Sequence, residues 1–374
     1  MMEQFQIRRL KKGDSWLSVI VFALIIWGLI SIYSASVVIS LENFGTPYYY
    51  LTKQAIALGI GLVVWFITQF IDYHKWRRFA LAFFLVSLVL LAMVFLPSDK
   101  IAPVLGGAKR WLFFDTFNFQ PSELAKISFV IFLSAWLSSR KDEIGDFKKV
   151  FLPYWLISGL VIFLIFLEPD VGTALIFMCI ALGLYFVAGA RLSHFLLIFI
   201  FSIVVVFILG ISSPYRMHRF LAFLNPSFDP QGIGYHSRNL SIAIGSGGLW
   251  GQGFGNSKQK YLYLPEAHTD SIFAIIAEEL GFIRAMFIPI LFGLLIWRGI
   301  LIARKTGDDF GRFLAIGIVS WFGAQVIINL GGMLGVLPLT GVPLPFLSFG
   351  GTSLVISLIS MGVLLNISKQ IRNI

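Results

Sequence analysis

Long apolar runs separated by short polar joints fill most of this chain. Taking runs of about 17–25 apolar residues as membrane-crossing helices, the pattern predicts about ten, at 16–39, 50–71, 79–96, 122–138, 151–168, 171–189, 194–211, 284–303, 312–336 and 350–367. The expected fold is an all-α polytopic membrane protein with a single integral membrane domain over 1–374. The first run is too long for a signal-peptide core and lacks an A-x-A end, so it is expected to stay as the first span.

The polar joints alternate in charge. Arg8, Arg9, Lys11 and Lys12 precede the first run. His74 to Arg78, Arg140 and Lys141 with Lys148 and Lys149, Arg191, Arg304 and Lys305, and finally Lys369 and Arg372 fall on every second joint. By the positive-inside rule that side is cytoplasmic, which puts both termini inside and agrees with an even number of spans. The other side receives 97–121, 168–170, 212–270 and 337–349. The longest loop, between spans seven and eight, exceeds ordinary connections and is expected to be functional. Its aromatic and glycine content is too apolar for a disordered linker, so a folded lid on the membrane is predicted.

Composition sharpens this picture. Of 374 residues, 57% are hydrophobic and 13% charged, against about 25% charged in soluble domains. One cysteine and five histidines argue against a Cys/His metal site or a disulfide framework; Cys179, in an apolar run, reads as plain packing. The net charge of +10 does not point to nucleic acid, because the basic residues are dispersed among the joints and topology accounts for them. The glycine-rich segment has neither GxGxxG nor GxxxxGK[ST], which excludes the common nucleotide loops.

Chemistry concentrates between Trp250 and Phe282, where Lys258, Lys260, Glu266, His268, Asp270, Glu278 and Glu279 crowd together. Asp270, after His268 and Thr269, begins a helix: it reads either as an N-cap or as a base, since a carboxylate against an apolar wall suits proton abstraction near neutral pH. Glu278 and Glu279 are adjacent and should point to different faces, one to a cavity and one to headgroups. Arg216 and Arg219, three apart, would share a helix face. With Lys109, Arg110, Lys258 and Lys260 they read either as headgroup contacts or as a pyrophosphate clamp. Glu123 and Lys126 at the head of the fourth span form either a structural ion pair or a substrate contact, because lysine inside a span needs a partner or water. Glu168 and Asp170 at a hairpin top are either solvated, or bind a cation, or shape the cavity mouth.

Several segments together then resemble a known family: YSAS (33–36), GGAKRWL to QPSELAK (106–126), EPDVGTAL (168–175), YRMHRFLAFLNPSFDPQGIGYH (215–236), SIAIGSGGLWGQGFGNSKQKYLYLPEAHTDSIFAIIAEELG (241–281) and LPLTGVPLPFLSFGGTS (337–353). The chain resembles the SEDS family (shape, elongation, division and sporulation), and within it the division branch more than the elongation branch, with the sporulation branch left open. The resemblance implies a peptidoglycan glycan-strand polymerase that acts on lipid II outside the bacterial inner membrane, at the division septum, with undecaprenyl pyrophosphate as leaving group. It places the catalytic carboxylate on Asp270. The substrate-binding residues are expected to be Lys109, Arg110, Trp111, Glu123, Lys126, Arg216, Arg219, Lys258, Lys260, Glu266, His268, Thr269, Ser348 and Ser353. A divalent cation (Mg or Mn), no organic cofactor, a class B penicillin-binding protein, other divisome proteins and membrane lipids complete the expectation. Ser271, Arg284 and His236 depart from the family's usual Phe, Gly and Gln, and bear on cavity shape rather than on the reaction. Two other classes stay open: a lipid II flippase, which should carry charge deep in several spans, and a non-catalytic scaffold.

Overall fold

The computed structural model describes residues 13–98, 100–104, 107–114, 117–211, 223 and 232–371. Twelve α-helices lie among them: α1 (Ser15–Phe44), α2 (Tyr49–Thr68), α3 (Tyr73–Met93), α4 (Pro121–Ser138), α5 (Leu152–Leu167), α6 (Val171–Val187), α7 (Leu192–Ile211), α8 (Ile233–Gly247), α9 (Ile272–Ala285), α10 (Phe287–Lys305), α11 (Asp309–Met333) and α12 (Gly351–Gln370). Each predicted span falls on a helix. Among the described residues, seven helical stretches are long and apolar enough to cross a membrane: α1, α2, α3, 147–167, α10, α11 and α12. The protein is therefore a multi-pass membrane protein. The predicted spans at 122–138 and 171–189 are realised as α4, which carries Glu123 and Lys126, and as α6, a shorter apolar helix.

The fold is not purely helical. Strands β1 (Leu112–Phe114) and β2 (Phe117–Phe119) form an antiparallel hairpin, with Leu112 opposite Phe119 and Phe113 opposite Asn118. Three residues per strand are too few to show an alternating pattern in sequence.

Helix ends follow local chemistry. Asp14 caps α1 by accepting from the Leu17 N–H at 3.1 Å, and α1 stops at Gly45, whose φ of 69° suits glycine. Asp170 caps α6, taking the Thr173 N–H and hydroxyl at 2.9 Å each. The central helix is α11, which packs on α4, α6, α10 and α12 and buries Trp321, Phe322, Phe310 and Phe313.

The two ends of the bundle differ. At one, Asp14 pairs with Arg298 at 2.5 Å and its N–H donates to Ser368 Oγ. Lys369 Nζ reaches Gln69 Oε1 at 2.8 Å, Tyr73 N–H donates to Asn366, and Lys141 pairs with Asp309 at 2.9 Å. These contacts join the start of α1, the α2–α3 joint, the end of α12 and the start of α11, all from the basic side of the sequence pattern. The opposite end gathers 168–172, α8, 248–272 and 337–350, and it holds the candidate site.

Candidate active site

Asp270 lies on the turn that leads into α9. The capping position of that helix is Ser271, without a side-chain cap bond, so Asp270 is not the N-cap. Its backbone is held from two sides. The Asp270 carbonyl accepts from Asn329 Nδ2 at 2.9 Å, and two residues earlier the His268 carbonyl accepts from the Phe349 N–H at 2.9 Å. Its carboxylate faces the loop after α11: a Cβ placed on Gly341 would sit 3.5 Å from Asp270 Oδ2, and the φ of 71° there favours glycine in any case.

Thr269 Oγ1 bridges two acids, 2.7 Å from Glu266 Oε2 and 3.3 Å from Asp270 Oδ1. His268 is buried, its ring centroid 4.2 Å from that of Tyr50 at a tilt of 48° and 5.7 Å from the Phe349 ring. Burial holds its imidazole below the ordinary range, against an opposing pull from Glu266, so it is neutral near pH 7. Glu266, His268, Thr269 and Asp270 thus form one cluster, as their sequence spacing suggests.

Glu278 and Glu279 correct the sequence expectation. Neither faces headgroups; they are 1% and 2% exposed. Ser257 Oγ donates to Glu278 at 2.5 Å and the Lys258 N–H at 3.0 Å. Glu279 takes Ser34 Oγ at 2.7 Å and Lys260 Nζ at 3.0 Å. The segment 257–260 folds over α9 and satisfies both carboxylates, which adjacency in sequence does not reveal. Lys260 is accordingly committed inside the protein, its ammonium also donating to the Gly255 carbonyl at 2.5 Å. Lys258, by contrast, is exposed.

A glycine pair locks the same region. At Gly281 (φ 79°, ψ 171°) α9 breaks, freeing the carbonyls of residues 278 and 279, which accept from the Gln252 and Gly253 N–H groups at 2.9 Å. The segment 248–253 comes so close that a Cβ on Gly281 would lie 2.3 Å from Gly251 N. Gly281→Ala adds this clash to a backbone region that is essentially glycine-only and costs about 1–3 kcal/mol by itself. It should lower the thermal midpoint and the yield of folded protein, measured by thermal scanning in detergent.

The two acids at the joint between α5 and α6, Glu168 and Asp170, are buried, not solvated. Arg110 clasps it, Nε to the Glu168 carbonyl at 3.0 Å and Nη2 to the Pro169 carbonyl at 2.5 Å. Glu168 is 1% exposed, and neither carboxyl oxygen has a hydrogen-bond partner among the described residues. Burial, with help from Asp170 and against Arg110, pushes its carboxyl up to about 9. Because the folded value is raised, its contribution to stability is complete below 4.5 and is lost as pH rises toward about 9. Glu168→Gln, neutral throughout, should therefore flatten the fall in thermal midpoint across that window.

The remaining candidates are scattered. Glu123 and Lys126 pair inside α4 at 2.7 Å, both buried, and Lys126 Nζ continues to Gln325 Oε1 at 3.1 Å. Lys109 and Trp111 are half-buried beside Arg110. Ser348 Oγ accepts from the Leu344 N–H at 2.8 Å and shapes the loop, and Ser353 lies in the first turn of α12. Arg216 and Arg219 lie outside the described residues. Asn329, Gln325, Ser34 and Tyr50 were not singled out from the sequence. The two amides carried a signal there, being polar residues four apart in an otherwise apolar span.

The fold and site define a multi-pass helical membrane protein with a carboxylate cluster at the end opposite its basic joints. Residues 15–373 match the FtsW/RodA/SpoVE family, described as cell cycle proteins. A "Probable peptidoglycan glycosyltransferase FtsW" of Geobacter sp. (strain M18) is 39% identical over 98% of this chain and 99% of the relative. "Stage V sporulation protein E" of Bacillus subtilis (strain 168) is 39% identical over 96% and 98%. Among solved structures, a chain from "Structural coordination of polymerization and crosslinking by a peptidoglycan synthase complex" superposes with a TM-score of 0.79 at 28% identity, covering 95% of this chain and 97% of that one. Thermus thermophilus rod shape determining protein RodA does so with a TM-score of 0.71 at 27% identity, covering 97% and 98%. The chain belongs to the FtsW/RodA/SpoVE family.

Proposed function

We propose that this protein is a peptidoglycan glycosyltransferase that polymerises lipid II, and that it serves septal wall synthesis. The observation that carries the reading is similarity over nearly the whole chain to relatives named as peptidoglycan glycosyltransferases. It is joined to a carboxylate held from two sides in a polar cluster.

In this reading ten crossings place both termini in the cytoplasm and the site on the outer face of the inner membrane. The 4-hydroxyl of one GlcNAc attacks the anomeric carbon of the other substrate's MurNAc, with inversion. Asp270 removes the hydroxyl proton as the new bond forms. Undecaprenyl pyrophosphate departs, and its growing charge is met by donors such as Lys258, Lys109, Arg216 and Arg219. Arg110 acts one step removed, by fixing the 168–170 joint. Neutral His268 and Tyr50 wall the site.

Among the described residues no three His, Cys, Asp or Glu side chains could together hold a metal ion. Two carboxylates bridged by one hydroxyl, Glu266 and Asp270, nevertheless suit a magnesium or manganese ion that substrate phosphates also hold. Bound there, a divalent cation would neutralise pyrophosphate charge. One of the solved relatives comes from a complex that coordinates polymerisation with crosslinking, which supports a class B penicillin-binding protein as partner, alongside other division proteins.

The test is chemical. The purified protein, with its cognate transpeptidase and lipid II, should release undecaprenyl pyrophosphate in step with a muramidase-sensitive polymer. Pyrophosphate release without polymer, or neither from a folded complex, would overturn the reading.

A further inference from the structure

A column of polar side chains runs through the most buried span. Trp321, Gln325 and Asn329 are spaced four apart on α11, so they stack on one stripe. Trp321 Nε1 donates to Gln325 Oε1 at 2.7 Å, and the Gln325 Nε2 donates to the Pro343 carbonyl at 2.8 Å. The same Gln325 oxygen receives Lys126 Nζ at 3.1 Å, whose ammonium also lies 4.9 Å from the Trp321 ring and pairs with Glu123. At the outer end, Asn329 divides its amide between two segments: Nδ2 donates to the Asp270 carbonyl at 2.9 Å and to the Val342 carbonyl at 2.7 Å.

Polar groups in a membrane span are costly, and here they have a common target. Among the described residues no backbone N–H bonds the Val342 or Pro343 carbonyl, so these carbonyls depend on side-chain donors. The loop also lies against the Asp270 carboxylate at Gly341. One amide therefore sets the distance between the backbone of Asp270 and the loop that faces its carboxylate.

We infer that Asn329 is a positioning residue for Asp270, and that Gln325 anchors the same loop to the Glu123–Lys126 pair; this rests on the proposed glycosyl transfer. Asn329 reaches the chemistry only through the backbone of Asp270 and Val342. A misplacement of about 1 Å at a reacting group can lower a rate about 10²-fold. Such a residue should therefore affect turnover more than substrate affinity.

The experiment uses the full chain with its transpeptidase in liposomes, with lipid II as the probe and activity normalised to the monodisperse, partner-bound fraction. Asn329→Ala should lower kcat about 10²-fold with little change in KM. Asn329→Ser, which keeps one donor, should fall in between and serves if the alanine variant does not fold. Asn329→Asp keeps the shape but presents acceptors to two carbonyls until it is protonated, when one O–H donor returns. The ratio of its kcat to that of wild type should therefore rise as pH falls. The titratable groups around it are Asp270, His268 and Glu266, with Glu123 and Lys126 further along the column, and the ratio cancels their effect on the wild type. Unchanged kcat in Asn329→Ser, or a pH-independent ratio for Asn329→Asp, would overturn the inference while wild-type polymerisation stands. Absence of polymer from wild type would instead overturn the reading it rests on.

Discussion

Asp270→Asn should reduce lipid II polymerisation by about 10²–10⁴-fold, the range general-base catalysis supplies. Asparagine keeps the size of the side chain and leaves the backbone carbonyl free to accept from Asn329. The carboxamide should also be accommodated beside Gly341, which carries no side chain to meet it. The capacity to take a proton is lost, together with the negative charge that would help hold a divalent cation. The variant should still fold and bind its partner, as checked by co-purification. Activity within a few-fold of wild type would remove Asp270 from the role of base.

The second large effect is on stability. Lys260→Met should destabilise the folded protein by about 3–5 kcal/mol, the usual result of removing one partner from a buried ion pair. Both side chains are about 3% exposed, so the Glu279 carboxylate would be left with Ser34 Oγ and the weaker Ser257 N–H as its donors. The Gly255 carbonyl would also lose the ammonium. The damage should not stay local, because the pair joins α1, the 255–260 segment and α9. Replacing both partners, as in Lys260→Met with Glu279→Leu, should recover part of the loss, since an apolar pair removes the stranded charge. The comparison is made by thermal scanning of the two variants; equal stability of Lys260→Met and wild type would contradict the account.

How much of this was legible in the sequence depends on the length scale of the signal. Long apolar runs report helices directly, so every predicted span lies on one, and Lys369–Gln69 and Lys141–Asp309 tie some of the basic joints to their neighbours. The β1–β2 hairpin escaped because three-residue strands have no period to read. Local spacing also gave the Glu266–His268–Thr269–Asp270 cluster, whose members are within five residues. It failed wherever a partner came from far along the chain. Glu278 and Glu279 looked divided between cavity and headgroups because the segment that satisfies them starts some twenty residues earlier. Lys260 looked like a phosphate ligand because its partners are on α1 and α9. Glu168 stayed open between solvation, cation binding and the cavity mouth because nothing local showed its carboxyl to be buried. Asn329 bridges two loops that lie 59 and 13 residues away, which no short window contains.

The central claim is that the outer cluster does glycosyl transfer and that the bundle does not move substrate across the membrane. The most direct test places the protein and its transpeptidase in liposomes with lipid II in both leaflets, and follows polymer formation and lipid II translocation in the same vesicles. Glycan polymer with translocation no faster than in protein-free vesicles is the predicted result. Rapid translocation without polymer from a folded, partner-bound complex would contradict the account and favour a flippase.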